Sequence, residues 1–189
     1  MTRHASVRSY LLSTWGEPDR EAEFEKDGSV VGVLKWRAGT RTEGVTLYAT
    51  VGASDLPLQG VDPEHRQEYF VGLLPECDDI ASPLAWLGVY AHSAVEALAP
   101  GHTYRGLDSL VDGRGFQGFL LFTPLSGKPA PIALPDGRHI EFLMTVPAFA
   151  DELDFARAHG VDELLSVTEE RQVPFWDPNR RSTFATSVA

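Results

Sequence analysis

The chain has 189 residues, of which 43% are hydrophobic, and this composition favours one globular domain with a core of ordinary size. Its formal net charge is −11 at pH 7, from 27 acidic and 16 basic residues. Because an acidic surface repels nucleic-acid phosphates and anionic lipid headgroups, the charge argues against both as partners and favours a basic protein partner.

The cysteine content and the lack of a signal-peptide pattern indicate the compartment in which the protein acts. The one cysteine, Cys77, leaves no internal disulfide, as is typical of a reducing environment. The N-terminal segment lacks the apolar core of a signal peptide, and no stretch approaches the ~18 consecutive apolar residues of a membrane span. We therefore expect a soluble, cytoplasmic protein.

The first elements along the chain are a short helix and several strands. Val7, Leu11 and Trp15 recur at helical spacing before a glycine and a proline end the pattern. The pair Asp27-Gly28 separates two β-prone runs, which predicts a hairpin. Two further strands are predicted in GVTLYATVG and RQEYFVGLL.

The clearest helix lies in SPLAWLGVYAHSAVEALAPG, where we expect Ser82 to cap the start and Pro100-Gly101 to end it. The run GFQGFLLFTPL that follows predicts a strand buried on both faces. A second hairpin is predicted around Asp136-Gly137. The apolar stripe of the helix comprises Leu84, Leu87, Ala91, Ala94, Val95 and Leu98.

The C-terminal part predicts two helical pieces separated by Gly160, with Asp151 and Glu152 in a first turn where the helix dipole favours acids. Residues 1–175 are expected to form one domain, and residues 176–189 a partly flexible tail. Because hairpins dominate, the fold class is predicted as α+β, with a mixed, largely antiparallel central sheet and helices packed against it.

The turn in YATVGASDLP raises the question of catalysis. A hydrolase nucleophile elbow needs G-x-S-x-G, and the stretch Gly52 to Leu56 lacks the second glycine. Pro57 also keeps Leu56 out of the helical region, so no helix opens there. The simpler interpretation is a strand end at which Ser54 or Asp55 bonds nearby backbone amides.

Motifs for cofactors and metals are absent from the sequence. Neither G-x-x-x-x-G-K-[ST] nor G-x-G-x-x-G occurs, and no histidine pair has H-E-x-x-H or H-x-H spacing. Cys77 beside Asp78 and Asp79 is more typical of a small core residue before a solvated helix start. We expect no cofactor, no metal site and no catalytic residue.

Two further sites carry side chains suited to a partner. Glu68 lies inside an otherwise apolar strand, and Arg66, two positions earlier, points to the same face. They indicate either a polar grip on a partner or an exposed ion pair of little energetic value. Phe175 and Trp176 stand close to arginines in VPFWDPNRR, a combination typical of interface anchors, or they pin the tail to the domain.

The series LYATVGASDLP, RQEYFVGLL, PLAWLGVYAHSAVEAL, GFQGFLLFTPL and IEFLMTVPAFADELDFARAHGVDELL resembles the suppressor-of-fused-like domain family over about residues 5–168. In that family a T-x-G-x-S turn precedes a strand with an acidic residue. Thr50, Gly52, Ser54 and Glu68 occupy these positions.

The resemblance implies a protein-binding function without catalysis. The animal member is a scaffold that holds a transcription factor, whereas bacterial members look like immunity proteins that neutralise a toxin. This chain lacks room for the animal protein's second domain, so the single-domain bacterial type is the closer analogue.

Three hypotheses follow for the function. The first is an immunity protein that blocks a toxin by stoichiometric binding, with Ser54, Asp55, Arg66, Glu68, Phe175 and Trp176 as partner-binding residues. The second is a small hydrolase or transferase that uses Ser54, Asp55 and a histidine such as His65 or His102. The third is a regulatory scaffold that grips an extended peptide along a sheet edge.

Overall fold

The computed structural model describes residues 3–26, 28–62, 64–94, 97–106, 109–134 and 137–185. Within these ranges the chain forms four α-helices and eight β-strands. The helices are α1 (Arg3–Trp15), α2 (Ala81–Ser93), α3 (Ala150–His159) and α4 (Val161–Glu170). The strands are β1 (Arg20–Lys26), β2 (Ser29–Trp36), β3 (Thr46–Val51), β4 (His65–Leu73), β5 (Thr103–Arg105), β6 (Gly118–Phe122), β7 (Ile132–Ala133) and β8 (His139–Ala148).

All eight of these strands join one sheet. Its order is β1-β2-β3-β4-β8-β6-β5, and β7 pairs with the first residues of β8. The pairing of β4 with β8 is parallel, and the other described pairings are antiparallel. The prediction of an α+β fold with a mixed, largely antiparallel sheet is therefore confirmed.

Both hairpins form where turn residues interrupt β-prone runs. Strands β1 and β2 pair antiparallel on either side of Gly28, and β7 and β8 pair on either side of Gly137. The other two turn residues of these predictions, Asp27 and Asp136, lie outside the described residues. Local turn chemistry was thus sufficient to place the hairpins.

Helices cover both faces of the sheet. Since successive side chains of a strand point to opposite faces, one strand contributes to the core on each side. On β4, Tyr69 joins the core under α2, whereas Phe70 joins the core under α1. Helices α3 and α4 form a third cluster with Leu120 and Phe122 of β6. Every residue of β6 is buried, as predicted for a strand covered on both faces.

Helix α2 is shorter than predicted. It begins after a 3-10 turn at Asp78–Ile80, so Ser82 lies inside the helix, where its hydroxyl accepts a hydrogen bond from the indole of Trp86. The helix ends at Ser93 because Ala94 is extended. The predicted end at Pro100-Gly101 is therefore wrong. Leu84, Leu87 and Ala91 are buried as expected, Val95 lies outside the described residues, and Leu98 is buried beyond the helix.

Among the described residues no helix is both long and apolar enough to cross a membrane.

Candidate functional site

The turn after β3 is buried. Gly52 has φ 108°, and a Cβ at this position would lie 3.3 Å from the carbonyl oxygen of Val30, so only glycine fits without strain. A 3-10 turn at Ala53–Asp55 follows, and Ser54 within it has no exposed surface. The backbone therefore turns inward here, against the neighbouring strand β4.

Glu68 on β4 holds this turn. Its Oε1 accepts hydrogen bonds from the amides of Gly52 and Ser54, both at 3.0 Å, and from Oγ of Ser54 at 2.7 Å. Its Oε2 accepts from Oγ1 of Thr50 at 2.5 Å. Burial raises the pKa of Glu68 above its usual value, and the four donors oppose that rise. We call Thr50, Gly52, Ser54 and Glu68 the buried turn.

The buried turn explains the residues on which the family resemblance rests. Thr50, Gly52 and Ser54 all donate to the carboxyl group of Glu68. This carboxyl group replaces the water that the amides of Gly52 and Ser54 would otherwise bind. Glu68 and Ser54 are each 0% exposed. The free protein therefore does not present these two side chains to a partner, and the expectation of a polar surface grip is wrong for both of them.

Helix α2 locks the buried turn from the other side. A Cβ on Gly88 of α2 would lie 2.8 Å from the Cβ of Ala53. We expect Gly88→Ala to lower the free energy of unfolding by about 1–3 kcal/mol, because overpacking outweighs the better helix propensity of alanine. Denaturant unfolding of Gly88→Ala, of Ala53→Gly and of the double variant tests this expectation. Adding Ala53→Gly should restore part of the loss, whereas simply additive losses would contradict the contact.

The geometry does not support a serine nucleophile at position 54. The Ser54 hydroxyl donates to Glu68, and within the described residues no histidine lies within hydrogen-bond reach of it. His65 contacts His139, with 2.8 Å between Nδ1 and Nε2. His102 makes only backbone hydrogen bonds among the described contacts. The hydrolase hypothesis built on Ser54 with His65 or His102 therefore lacks its required arrangement.

The exposed ion pair predicted for Arg66 and Glu68 is also wrong. Arg66 is 6% exposed, and its guanidinium donates to the carbonyl of His65 at 2.7 Å. Both residues are buried because β4 lies between β3 and β8 and has packed layers on both of its faces. Asp55, in contrast, is on the surface, where it contacts Arg3 at 3.4 Å. A partner contact through Asp55 or Arg66 stays a prediction.

The C-terminal segment is fixed to the domain by a buried ion pair that the sequence did not reveal. Arg180 and Glu152 have side chains that are 1% and 0% exposed, and they form two parallel hydrogen bonds of 2.6 and 2.8 Å. Thr183 adds its amide and hydroxyl, both 2.8 Å from Oε1 of Glu152. Residues 176–185 therefore pack with the domain, and residues 186–189 of the predicted tail lie outside the described residues.

Charge and aromatic contacts stabilise this anchor. Burial alone raises the pKa of Glu152, but the hydrogen bonds and charge of Arg180 outweigh it and hold the pKa below the usual value. The Arg180 guanidinium lies over the rings of Phe116, Phe149 and Phe175, at 5.0 to 5.3 Å from their centroids. Phe175 is thereby half-buried, while the next residue, Trp176, remains 54% exposed.

Phe175 and Trp176 form one wall of an open groove of about 570 Å³. The groove lies on the α1 face of the sheet, between the C-terminal end of α1 and the segment that Arg180 anchors. Thr14 and Trp15 of α1 line it on one side. We call it the sheet-face groove. Its floor comprises Val45, Leu47, Phe70, Met144, Val146 and Pro147.

The groove has an apolar floor and a mixed rim. Met144 packs against both the α1 cluster and the α3–α4 cluster, so the floor spans the gap between these two helical layers. The rim carries Arg41, Glu43, Leu125 and Lys128, and Leu125 is 84% exposed. Only Phe175 and Trp176 among the six sequence-predicted binding residues line the groove.

No group of three or more His, Cys, Asp or Glu side chains in the described part of the chain is arranged to hold a metal ion. Cys77 is buried, and burial raises the pKa of its thiol above the usual value. The neighbouring Lys35 is 5% exposed and pairs with Asp78 and Glu76 at 2.5 and 3.1 Å. Lys35, Glu76 and Asp78 thereby neutralise one another's charges.

Comparisons with known proteins place the chain among relatives of similar size and fold. The model of the suppressor of fused protein family matches residues 27–181. The immunity protein YqcF of Bacillus subtilis (strain 168) is 26% identical over 144 residues, which cover 74% of this chain and 75% of that protein.

Solved structures share the fold at low sequence identity. A suppressor of fused homologue from Neisseria gonorrhoeae FA 1090 has a TM-score of 0.71 at 19% identity, with 98% of each chain covered. A chain of the Sufu–Fu complex has a TM-score of 0.69 at 16% identity and covers 96% of this chain and 92% of its own. Drosophila Suppressor of Fused has a TM-score of 0.65 at 14% identity, and the match spans 50% of that longer protein.

The sequence match and the fold agree with the buried turn. The matched range includes Gly52, Ser54 and Glu68, the residues that carry the resemblance in the sequence, and it extends to Arg180 of the C-terminal anchor. Since the family model covers most of the chain, the protein belongs to the suppressor of fused protein family.

Proposed function

We propose that this chain is an immunity protein that neutralises a cognate bacterial toxin by stoichiometric binding. The observation that carries the proposal is its similarity to the immunity protein YqcF, which extends across about three quarters of both chains. The complex of Sufu with Fu supports a protein partner, since that relative of the same fold is captured bound to another protein.

The charge of the chain supports a basic partner. A net charge of −11 accelerates encounter with a positively charged toxin domain and disfavours nucleic acid. The buried turn supports binding rather than catalysis, because Ser54 is committed to Glu68. We propose that the chain acts in the cytoplasm without metal or cofactor. We further propose that the predicted domain of residues 1–175 extends to include residues 176–185, which Arg180 anchors to Glu152.

Co-expression tests this proposal. Each toxin gene encoded beside the gene of this protein is expressed in a heterologous host, with and without the chain. We expect growth to be restored by one of these pairs, and the toxin to co-purify with the chain in a 1:1 complex. A toxin with its catalytic residue replaced serves as the control for expression burden. Failure to restore growth against every neighbouring toxin would overturn the immunity function.

A second candidate function rests on strand β1. Among the described strands β1 has one sheet partner, and six of its seven residues are exposed. Glu21, Glu23 and Glu25 alternate along it and share one face, which suits an extended basic segment added at the edge. If the partner binds at β1, the double variant Glu23→Lys/Glu25→Lys should abolish partner binding. If the partner binds elsewhere, the affinity of this variant should stay within a few-fold of the wild-type value.

A further inference from the structure

The sheet-face groove has the size and character of a recognition site. Its volume of about 570 Å³ falls in the range typical of small-ligand sites, so it can accept a few side chains of a partner. Leu125 and Trp176 project at its rim with 84% and 54% of their surface exposed. Large exposed apolar residues beside a concave apolar floor are typical of interaction surfaces.

The charges at the rim indicate what the groove accepts. Most arginines of this chain form ion pairs or hydrogen bonds, such as Arg8 with Glu21 and Arg105 with Asp154. Arg41 and Lys128 have exposed side chains, for which the described residues provide neither an ion pair nor a hydrogen bond. The chain has 27 acidic residues, yet two basic side chains that make no ion pair or hydrogen bond with the described residues line this same groove.

We infer that the sheet-face groove binds a segment of the partner protein that presents a large apolar side chain next to a carboxylate. The apolar side chain occupies the floor at Met144 and Val146, and the carboxylate faces Arg41 and Lys128. Glu43, also on the rim, disfavours a second carboxylate on its side of the groove. The inference rests on the proposed function in taking the partner to be a protein. It adds which surface of this chain binds that partner and which side chains the partner presents.

A second copy of this chain is a poorer occupant. Two copies each with a net charge of −11 repel one another. Among the described residues that line the groove, Glu43 is the one acidic side chain, so a symmetric pair offers a single carboxylate per copy to Arg41 and Lys128. A protein partner that is basic overall is compatible with one local carboxylate, because long-range steering and the local contact depend on different charges.

The test is a selection of random 12-residue peptides displayed on phage against the immobilised full-length chain. We expect the bound peptides to be enriched in Trp, Phe or Leu within three positions of Asp or Glu. One of the selected peptides is then synthesised with a fluorescent label, and its affinity for the chain is measured by fluorescence anisotropy. The double variant R41E/K128E should weaken its binding roughly tenfold, the scale of two partly exposed ion pairs. Leu125→Asp should weaken it as well.

Arg181→Glu is the matched control, because Arg181 is an exposed arginine away from the groove, and it should leave the affinity unchanged. Circular dichroism and thermal unfolding confirm that each variant is folded. The inference is overturned if no peptide is enriched, if the selected peptides lack an acidic residue, or if R41E/K128E binds as the control does. Concentration-dependent dimerisation that Leu125→Asp abolishes would assign the groove to a second copy instead.

The selection needs no toxin, so the two proposals fail separately. If peptides bind as expected while no neighbouring toxin is neutralised, the immunity function is wrong and the groove chemistry stands. If a toxin is neutralised with an affinity that R41E/K128E and Leu125→Asp leave unchanged, the groove inference is wrong and the immunity function stands.

Discussion

Replacing Arg180 with alanine is expected to lower the free energy of unfolding by about 3–5 kcal/mol, because it leaves the carboxylate of Glu152 buried without a counter-charge. The same change removes the guanidinium that lies over Phe116, Phe149 and Phe175. For a chain of this length such a loss corresponds to a decrease of roughly 6–20 °C in Tm. Thermal and urea unfolding measure it directly.

Arg181→Ala is the matched control, because the two arginines are neighbours in sequence and only Arg180 is buried. We expect Arg181→Ala to change the stability by less than about 0.5 kcal/mol, as is usual for an exposed side chain. Equal losses from the two variants would contradict the anchor. The Arg180 variant should also displace Phe175 and Trp176, and thereby weaken binding at the groove.

The pH dependence of the anchor follows from the lowered pKa of Glu152. The usual pKa of a glutamate is 4.5, and the pKa of Glu152 in the folded state lies below this value. The ion pair therefore contributes fully above pH 4.5 and its contribution is lost as the pH falls through the folded-state pKa. We expect the stability advantage of the wild-type chain over Glu152→Gln to be largest near neutral pH and to shrink in acid. An advantage that grows in acid would contradict this assignment.

The second large effect is expected at Glu68. Glu68→Ala removes the acceptor for two buried amides and two buried hydroxyls, so we expect a loss of about 3–5 kcal/mol in the free energy of unfolding. Glu68→Gln keeps a carbonyl oxygen in the place of Oε1, and its amide can donate to Oγ1 of Thr50. We therefore expect the glutamine variant to lose much less than the alanine variant.

The two variants separate the shape of the Glu68 side chain from its charge. Because burial raises the pKa of Glu68, the wild-type chain should lose stability relative to Glu68→Gln as the pH rises from 4.5 through the folded-state pKa. Urea unfolding from pH 4.5 to pH 8 provides the measurement. If Glu68→Gln is as unstable as Glu68→Ala throughout this range, the carboxylate charge is essential and our account of the buried turn is wrong.

Local sequence signals predicted most of the elements, because a hairpin or an amphipathic helix is set by residues a few positions apart. The hairpin at Gly28 and the two helices on either side of Gly160 are examples. The end of α2 was misplaced because the apolar period continues past Ser93, and only the extended backbone at Ala94 ends the helix.

The buried polar contacts could not be predicted in the same way, because their partners lie far apart in the chain. Glu68 bonds residues 14 to 18 positions earlier, and Arg180 bonds a carboxylate 28 positions earlier. Nothing in DPNRRSTF distinguishes Arg180 from Arg181. The family resemblance singled out Thr50, Gly52, Ser54 and Glu68, but their mutual contact emerged only from the structure.

The sheet-face groove could not be predicted either, because residues far apart in the chain form it. Its floor comes from Val45 and from strands β3, β4 and β8, and its walls come from α1 and the anchored C-terminal segment. The sequence indicated Phe175 and Trp176 as anchors from their composition alone. It contained no signal that brings Arg41 and Lys128 to the same rim.

A titration of toxin activity with the purified chain tests most directly whether this protein acts by binding. Increasing amounts of the chain are added to a fixed concentration of the cognate toxin, far above the Kd. We expect residual activity to fall linearly to zero at one equivalent, and Ser54→Ala to give the same end point if it remains folded. Complete inactivation by a small fraction of an equivalent, lost in a folded Ser54→Ala variant, would show turnover and contradict the account.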